Sequence, residues 1–443
     1  MRERGPAGPY MADKSANSIK QSTGERLRSE IFSTIGKVMI STVNSNHRQN
    51  DPGSRAGRRG MTVAMTSAIA ALTLNLGLGL SAQASQQEAA VSQTTGKVRV
   101  ETVVDGLKHP WALTFLPDNE GVLITERPGR LRLWRDGELS PALQGVPEVY
   151  ARSQGGLLDV AIAPDFRTSR RVYLSYAEQD QRGRAGTAVG MGRLAEDGKA
   201  IEGFKVIFRQ QPKLSSGAHF GVRLVFDREG YLFVALGENN QRSTAQDLDK
   251  HQGKLLRLTA DGGVPADNPF IGEPQARPEI WSYGHRNQQG AALNPWTGRV
   301  WTHEHGPRGG DEINIPQAGL NYGWPTATHG RNYSGLAIPE AQGAEVDGME
   351  VPHYVWLQSP AISGMAFYDA EQFPQWRYSL FIGALKDREL IRLQLNGDDI
   401  VAEERLLGEL GERVRDVRVG PDGYLYVLTD SSNGALLRVS PLP

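Results

Sequence analysis

The chain has 443 residues, of which 39% are hydrophobic and 22% charged, and its formal net charge is −1, a balance that argues against disorder and against a basic nucleic-acid-binding surface. It contains no cysteine, which excludes disulfides and cysteine-ligated zinc or iron–sulfur sites. Its 51 glycines predict many tight turns and therefore many short strands.

The N-terminal segment precedes the part of the chain that shows strand periodicity. Residues 1–57 are polar, mixed in charge and aperiodic, and we interpret them as a non-native or disordered extension. Arg58 and Arg59 then precede an apolar stretch that ends in Ala-Gln-Ala at Ala84. Such a basic flank, apolar run and small-residue ending are typical of a secretory signal peptide, which we place at 58–84. A membrane anchor is the alternative, but polar residues dilute the run and favour cleavage. We therefore expect a periplasmic or secreted protein without membrane insertion after cleavage.

From residue 85 to residue 443, one strand pattern recurs six times. Each copy has a short apolar strand, a turn rich in Pro, Asp or Gly, a second apolar strand, and then a third strand. The copies occupy residues 111–134, 158–194, 222–258, 290–315, 364–393 and 414–439. Six repeated sheet units indicate a β-propeller, because one such sheet cannot bury both faces alone. A β-sandwich is the alternative, but it does not require one pattern to recur throughout the chain. We predict an all-β domain, a six-bladed β-propeller of four-stranded antiparallel sheets.

One predicted strand and several long segments fall outside the six copies. The strand at 98–104 is expected to pair with the last blade and close the ring. Four segments without the pattern are expected to form loops on the functional face: 237–252, 263–285, 303–312 and 321–363. Binding and catalytic residues concentrate on loops that a rigid scaffold positions.

Two Gly-x-Gly sequences invite a nucleotide-binding reading, but neither supports it. Gly77-Leu-Gly79 lies inside the predicted signal peptide, and Gly190-Met-Gly192 leads into a predicted strand where the dinucleotide fingerprint would open a helix. The sequence also lacks a Walker motif. A redox enzyme with this sequence is not expected to use a Rossmann-bound nicotinamide.

Polar residues gather in loop sequences that strand packing does not need. Residues 216–221 contain His219, and residues 303–312 are rich in ligand-type atoms. Other polar loop residues are Gln154, Arg286, Asn287, Gln289, Lys386, Arg413 and Arg415. These sequences, with Gln154-Gly-Gly-Leu-Leu158 and the segment 319–325, occur in the same order as in the soluble quinoprotein glucose and aldose sugar dehydrogenases. From about residue 98 to residue 439, the chain resembles that family.

The resemblance implies a reaction and a base for it. Members of the family bind pyrroloquinoline quinone (PQQ) over the centre of the propeller beside Ca²⁺, and they oxidise an aldose sugar at C1 to the lactone. By match, His219 is the general base that removes the proton of the C1 hydroxyl, while hydride passes to the quinone. Histidine suits this role because it exchanges protons near neutral pH. A histidine taken in isolation is more often a surface or hydrogen-bonding residue. The electron acceptor is not identified.

The resemblance also implies a cationic cofactor pocket, because PQQ carries three carboxylates. The matched contacts are Gln154, Arg286, Asn287, Gln289, Lys386, Arg413 and Arg415. The planar guanidinium suits bidentate carboxylate binding. Arg415 has a second, catalytic role by this match, since it can stabilise negative charge that develops on the quinone. The alternative is that Arg413 and Arg415, two residues apart, merely share the outward face of a strand.

Two metal sites compete in the segment 303–312. His303 and His305 share one face of a strand, and imidazole suits zinc or copper. The resemblance implies instead that the backbone carbonyls of Gly306 and Pro307 bind Ca²⁺, with Asp311 assisting through water. The calcium ion would then act as a Lewis acid at the quinone.

The sequence also departs from the better-known glucose dehydrogenase pattern. Ala218 stands where those proteins have an acidic residue beside the catalytic histidine, and His305 replaces a glutamine. The shorter aldose-type relatives share the Gly-x-His-Phe-Gly sequence of this chain. Two other function classes stay open at this level: a calcium-dependent propeller lactonase, which needs side-chain carboxylates around its metal, and a non-enzymatic propeller that binds carbohydrate or protein.

Overall fold

The structure is a computed structural model that describes Val91–Gln93 and residues 98–442. The predicted extension 1–57 and signal peptide 58–84 lie outside these residues and stay predictions. Within the described part, no helix is long and apolar enough to cross a membrane. Helical structure there is limited to single turns: α1 (Phe166–Ser169) and the 3-10 turns Pro117–Asn119, Arg242–Ala245, Pro374–Trp376 and Gly408–Leu410.

The strands form six antiparallel sheets, each with one strand nearest the axis and the others following outward. From the innermost strand outward, blade 1 contains β3 (Pro110–Phe115), β4 (Val122–Glu126), β5 (Arg130–Arg135) and β6 (Glu138–Leu139). Blade 2 contains β7 (Leu157–Ile162), β8 (Arg171–Gln179), β9 (Ala185–Leu194) and β10 (Ile201–Arg209). Blade 3 contains β11 (Gly221–Phe226), β12 (Leu232–Leu236), β13 (Lys254–Leu258) and β14 (Ile280–Tyr283).

The second half of the chain forms the other three blades. Blade 4 contains β15 (Gln288–Leu293), β16 (Val300–Glu304), β17 (Asp311–Asn314) and β18 (Tyr354–Trp356). Blade 5 contains β19 (Ile362–Tyr368), β20 (Ser379–Ala384), β21 (Leu390–Asn396) and β22 (Asp399–Leu406). Blade 6 contains β23 (Val414–Val419), β24 (Leu425–Thr429), β25 (Gly434–Pro441) and β2 (Val98–Leu107). The innermost strands contact one another in a closed circuit, so the predicted six-bladed propeller is confirmed.

The ring closes through β2, as the sequence predicts. This strand runs antiparallel to β25, with Val98 opposite Pro441 and Leu107 opposite Gly434. Blade 6 therefore combines the first long described strand with the last three. One feature was not predicted: β1 (Val91–Gln93) pairs in parallel with β22, which gives blade 5 a fifth strand.

Each pair of neighbouring blades shares a hydrophobic core. Where blade 6 meets blade 1, for example, Leu107 and Leu436 pack with Leu113, all fully buried. Equivalent clusters lie between the other neighbours around the ring. Burial of apolar surface between sheets is the main stabilising contribution in such a fold.

All six innermost strands begin at one face, which we call the upper face. Because strands alternate in direction within a blade, the segments that follow each second strand also lie at this face. The predicted functional loop 237–252 is of this kind. So is 305–310, the part of the predicted loop 303–312 that lies between β16 and β17. The predicted loop 263–285 contains β14 at 280–283. Its first part leaves β13 at the opposite face, and Arg277 then donates its backbone N–H to Leu248 of the loop 237–252. The long segment after β17 also starts at the opposite face but returns to the upper face, where Tyr322 donates its backbone N–H to Tyr283.

Candidate functional site

A cavity of about 300 Å³ lies at the upper ends of the innermost strands. Every blade contributes to its wall, so the cavity exists only when the ring is closed. The lining residues are Trp111, Arg127, Ser153, Gln154, Leu158, Phe220, Gly221, Asn287, Gln289, His305, Ala361, Leu385, Arg413, Arg415 and Asp430.

His219 stands beside this cavity in a fixed orientation. Its backbone N–H donates to Oε1 of Gln154 at 2.8 Å, and the next residue, Phe220, lines the cavity. Its ring Nδ1 lies 2.7 Å from Oε2 of Glu238, a nearly fully buried carboxylate. An imidazole that donates Nδ1–H to a carboxylate leaves Nε2 free to accept a proton. The acidic partner that Ala218 does not supply thus comes from a different loop.

The loop after β12 holds the backbone of His219 in place. Asn239 donates its side-chain amide to the carbonyls of Ala218 and His219, at 3.2 and 3.1 Å. Gly237 approaches the carbonyl of His219 so closely that an added Cβ would lie 2.1 Å from the oxygen. Only glycine fits there, and this close contact places Glu238 next to the imidazole.

The arginines of the sequence Arg413-Val-Arg415 both reach the cavity and share one carboxylate. Arg415 donates to Oδ2 of Asp430 at 2.8 Å, and Arg413 donates to the same oxygen at 3.1 Å. Burial alone would raise the pKa of Asp430, but Arg415 and Arg413 outweigh it and lower that pKa overall. Burial lowers the pKa of Arg415, whose buried Nε has no hydrogen-bond partner among the described residues. The sequence analysis missed Asp430, which the ring brings to these arginines.

Two other predicted cations lie apart from the cavity lining. Arg286 donates Nη1 to the carbonyls of His305 and Gly306 at 2.9 and 2.8 Å, and its guanidinium lies over the ring of Trp324. Lys386 is exposed, donates to the carbonyl of Ser359 at 2.8 Å and pairs with Asp387. Arg286 thus supports the turn at 305–306, whereas Lys386 lies on the rim.

Asp311 holds the turn at Gly306 and Pro307, the predicted calcium site, through hydrogen bonds. This buried carboxylate accepts the backbone N–H groups of Gly306 and Ala361, each at 2.9 Å, and also the hydroxyl of Ser359. The N–H of Ile362 approaches its second oxygen at 3.3 Å. With both oxygens engaged by protein donors, Asp311 ties the Gly306–Pro307 turn to the segment before β19. This observation assigns it a structural role.

The two histidines of the alternative zinc or copper site lie in different surroundings. His303 is fully buried, with its ring packed against Gly290. His305 lines the cavity and contacts the carbonyl of Ile362 through Nε2 at 2.5 Å. Burial lowers the pKa of both imidazoles, well below the usual value for His303. Among the described residues, no group of three His, Asp or Glu side chains is placed to hold a metal ion.

Glu304 orients the segment that carries Asn287. One of its oxygens accepts from Nδ1 of His285 at 2.9 Å, and the other accepts from the backbone N–H groups of Arg286 and Asn287. Burial, reinforced by the nearby charge of Glu304, raises the pKa of Glu312 well above its usual value. No sequence motif marks this role of Glu304, because its partners come from the preceding blade connection.

Beneath the cavity, a buried ion cluster lies on the axis of the propeller. Arg223 of β11 places Nη1 3.1 Å from Asp159 of β7 and Nη2 3.1 Å from Asp416 of β23. Its Nε donates to the carbonyl of Gln289 at 2.8 Å, and its guanidinium lies 4.2 Å from the ring centre of Trp111. Burial raises the pKa of Asp159, although the charge of Arg223 partly offsets this. Arg223 thereby connects its own strand, β11, to four other innermost strands: β3, β7, β15 and β23.

The structure therefore unites some predicted site residues and separates others. The cavity wall includes Gln154, Asn287, Gln289, Arg413 and Arg415. His219, Arg286, Lys386, Gly306, Pro307 and Asp311 surround it without being part of that lining. The additional residues that only the fold reveals are Trp111, Asp159, Arg223, Glu238 and Asp430.

Comparison with known proteins places this chain in a family. The sequence model of the Glucose / Sorbosone dehydrogenase family matches residues 107–438. The chain is 63% identical over 345 residues to Aldose sugar dehydrogenase YliI of Escherichia coli K12, a match that covers 78% of this chain and 93% of that protein.

Solved structures of related proteins share the fold. The apo-form of the soluble aldose sugar dehydrogenase from Escherichia coli superimposes with a TM-score of 0.77 at 63% identity, covering 78% of this chain and 100% of that one. The PQQ-bound form of the aldose sugar dehydrogenase from Streptomyces coelicolor gives a TM-score of 0.64 at 27% identity, covering 78% and 99%.

Proposed function

The chain belongs to the glucose/sorbosone dehydrogenase family, and from this premise we propose that it oxidises an aldose sugar at C1 to the lactone with PQQ and Ca²⁺. The observation that carries the proposal is the donor set at the cavity. Gln154, Asn287 and Gln289, which carry amides, line one central space together with Arg413 and Arg415. A polyanionic, planar ligand suits such a set.

The residues present fit PQQ. Its carboxylates require cationic and amide donors, and Arg415 has a buried Nε from which no group in the described part of the chain accepts. Arg413 and Arg415 would bind carboxylates, with the amide groups completing their hydrogen bonds, while Trp111 and Leu158 provide apolar contacts. When bound, the quinone supplies the acceptor for the hydride that leaves C1 of the sugar.

His219 would accept the hydroxyl proton of the sugar at Nε2. The carboxylate of Glu238 holds Nδ1 at 2.7 Å, which favours the tautomer with a free Nε2 lone pair. The hydroxyl group on C1 gives its proton to the imidazole, and the single bond between C1 and oxygen becomes the lactone carbonyl. The hydrogen on C1 leaves with the electron pair of its bond to carbon. Glu238 then stabilises the imidazolium that forms.

Ca²⁺ would be held by backbone carbonyl oxygens at Gly306 and Pro307, which are ligands that this ion accepts readily. The carbonyl of Gly306 already accepts from Arg286 at 2.8 Å. A carbonyl oxygen has two lone pairs, so calcium would either share the Gly306 oxygen with the guanidinium of Arg286 or displace that guanidinium. Asp311 would support the ion indirectly, by holding the turn.

Reconstitution of the purified apoprotein tests the proposal. We expect dye-linked oxidation of aldoses only after both PQQ and Ca²⁺ are added, and no sugar-dependent reduction of NAD or NADP. The binding of PQQ is followed separately by its absorption spectrum. Full activity in the presence of a chelator and without added quinone would contradict the proposal. Hydrolysis of a lactone without any redox activity would favour the lactonase instead.

A further inference from the structure

An exposed apolar patch lies on the upper face, outside the cavity. It consists of Tyr333 and Leu336 at the tip of a turn, together with Leu357, and these side chains are 75%, 71% and 58% exposed. The turn is closed by a hydrogen bond from the N–H of Asn332 to the carbonyl of Leu336 at 2.9 Å. We call these three residues, with Arg308 and Arg331, the tip patch. Large exposed apolar side chains grouped on one face indicate an interaction surface.

The tip patch also carries two arginines placed against each other. Arg308 and Arg331 form an antiparallel bridge, with backbone hydrogen bonds of 3.0 and 3.4 Å. Like charges at directly opposite positions destabilise a strand pair. Neither guanidinium has a carboxylate within 4 Å in the part of the chain that the structure describes. An anionic partner would neutralise both charges.

Neighbouring cations are already neutralised within the chain. Arg242 pairs with Glu340 at 3.1 Å, and Lys386 pairs with Asp387 at 3.2 Å. Arg308 and Arg331 of the tip patch differ from these two cations, because neither has such a carboxylate partner among the described residues.

The tip patch is connected directly to the wall of the cavity. Gly330 packs against the ring of Pro307, in the turn that follows the lining residue His305. On the other side, Leu357 is followed by Ser359, which hydrogen-bonds to Asp311, and by the lining residue Ala361. A protein bound to the tip patch would therefore sit beside the cavity.

We propose that the tip patch docks an acidic electron-transfer protein, the carrier that takes electrons from the enzyme. This inference rests on the proposed function. Oxidation of an aldose at C1 to the lactone removes two electrons and two protons. Two successive encounters with a one-electron carrier take one electron each, and the protons pass to solvent. Complexes of this kind bury little area and use complementary charge to guide association, which suits a small apolar patch with two arginines that have no carboxylate partner among the described residues.

A small inorganic or sugar-borne anion is the other ligand chemistry to weigh. It would use the arginines but would gain nothing from three exposed apolar side chains. The apolar part of the tip patch therefore favours a protein partner.

The test compares two soluble c-type cytochromes of similar potential, one acidic and one basic, as acceptors for the reconstituted holoenzyme. We expect the acidic cytochrome to be reduced faster, and its rate to fall as salt rises, because screening weakens steering. Arg331→Glu should slow this reaction about tenfold or more at low salt. Tyr333→Ser/Leu336→Ser should slow it as well, with less change in salt dependence. All variants should reduce a small dye at the wild-type rate.

Matched controls place the same changes elsewhere on the surface. Arg135→Glu alters an exposed arginine near the opposite face, and Val401→Ser alters an exposed apolar residue of β22. Both should leave cytochrome reduction unchanged. Equal rates with both cytochromes, or an Arg331→Glu variant as fast as wild type, would overturn the docking site.

Binding of the oxidised acidic cytochrome to the apoprotein, measured by surface plasmon resonance, reports on the surface independently of turnover. Loss of that binding in Arg331→Glu supports the site even if dye-linked sugar oxidation fails. Equal binding of wild type and variant would count against it. Failure of the proposed function and failure of the docking site are thereby distinguished.

Discussion

His219 is fixed from both sides by residues of two other loops at the upper face. Gln154 accepts from its backbone at 2.8 Å, and Glu238 contacts its ring at 2.7 Å. These contacts restrain the imidazole before any substrate arrives. In such an arrangement the ring needs little reorganisation to accept a proton, which is a condition for efficient general-base catalysis.

Replacement of His219, the proposed base, gives the most direct test at the residue scale. His219→Gln should lower the rate of quinone reduction by about 10²–10⁴-fold, because glutamine can hold a hydrogen bond but cannot accept the proton. The affinity for PQQ should stay within a few-fold of wild type. Stopped-flow absorbance of the bound quinone measures the step apart from the dye reaction.

Two further measurements support that test. Deuterium at C1 of the sugar should slow the same step in the wild type, since that hydrogen is transferred. His353→Gln serves as a control, because His353 lies outside the cavity and contacts the carbonyl of Asp398. A His219→Gln enzyme within a few-fold of the wild-type rate would remove His219 from the mechanism.

The loop between β12 and β13 depends on a buried lysine. Lys254 is fully buried, and its ammonium donates to the carbonyls of Thr244, Ala245 and Gln252 at 2.9, 3.0 and 2.7 Å. These bonds close the loop that carries Glu238. Burial lowers the pKa of Lys254 from 10.5 to about 7. The loop between β12 and β13 is thus held by a lysine side chain that is partly uncharged at neutral pH.

Lys254→Met should destabilise the protein by about 2–4 kcal/mol at pH 7, because three buried carbonyls lose their donor. Between pH 7 and 10.5 the unfolded chain binds more protons at Lys254 than the folded chain, so the wild type gains stability from this group as pH rises. The difference in unfolding free energy between wild type and variant should therefore grow from pH 7 to pH 9.

Urea unfolding at several pH values measures this difference. Lys250→Met provides the matched control on the same loop, since Lys250 is partly exposed and pairs with Asp247 and Asp249. Its pKa is raised by those hydrogen bonds, so its contribution should stay constant over that range. A pH-independent difference for Lys254→Met would show that the lysine does not titrate as described.

At the scale of the whole molecule, the ring is joined at its axis by charge as well as by apolar packing. Arg223 and Arg418 both approach Asp416, each at 3.1 Å, and Arg223 also pairs with Asp159. Blades 2, 3 and 6 meet in this cluster directly beneath the cavity. A buried cluster of this kind is costly to disrupt from one side, because the remaining charges stay buried.

Arg223→Met should therefore lower stability by about 3–5 kcal/mol at pH 8. Burial has already raised the pKa of Asp159 above its unfolded value, and loss of Arg223 should raise it further. A carboxyl with a raised folded pKa binds protons preferentially in the folded state, so stability increases as pH falls. The deficit of the variant should be smaller at pH 5 than at pH 8.

The urea concentrations at the midpoint of unfolding, measured at pH 5 and pH 8 for wild type and variant, give the loss of stability at each pH. Arg418→Met is the control, since Arg418 contacts the same two carboxylates but is partly exposed to solvent. Arg418→Met should lower the free energy of unfolding by less than Arg223→Met does, because water can replace part of the lost interaction. Equal losses in both variants would mean that the axial position of Arg223 has no special importance.

The repeated strand pattern was sufficient to predict six blades, the closing strand and most of the loops at the upper face. The reason is local: alternation, turn residues and strand length are encoded in short stretches of sequence. Motifs within single loops likewise identified His219, Arg413 and Arg415. The predicted export of the chain rests on the same kind of local pattern and stays a prediction.

The partners of these residues depended on the closed ring. Glu238 reaches His219 from another loop of blade 3, and Asp159 reaches Arg223 from the neighbouring blade. Each pairing is set by how sheets pack around the axis, and no local pattern records it. The same holds for Asp311, whose oxygens are taken by the backbone of a distant segment, and for Arg286, which turns to the 305–306 carbonyls. Sequence alone determined the fold and the family resemblance, and tertiary structure decided which groups meet, because contacts between blades join residues that lie far apart in the chain.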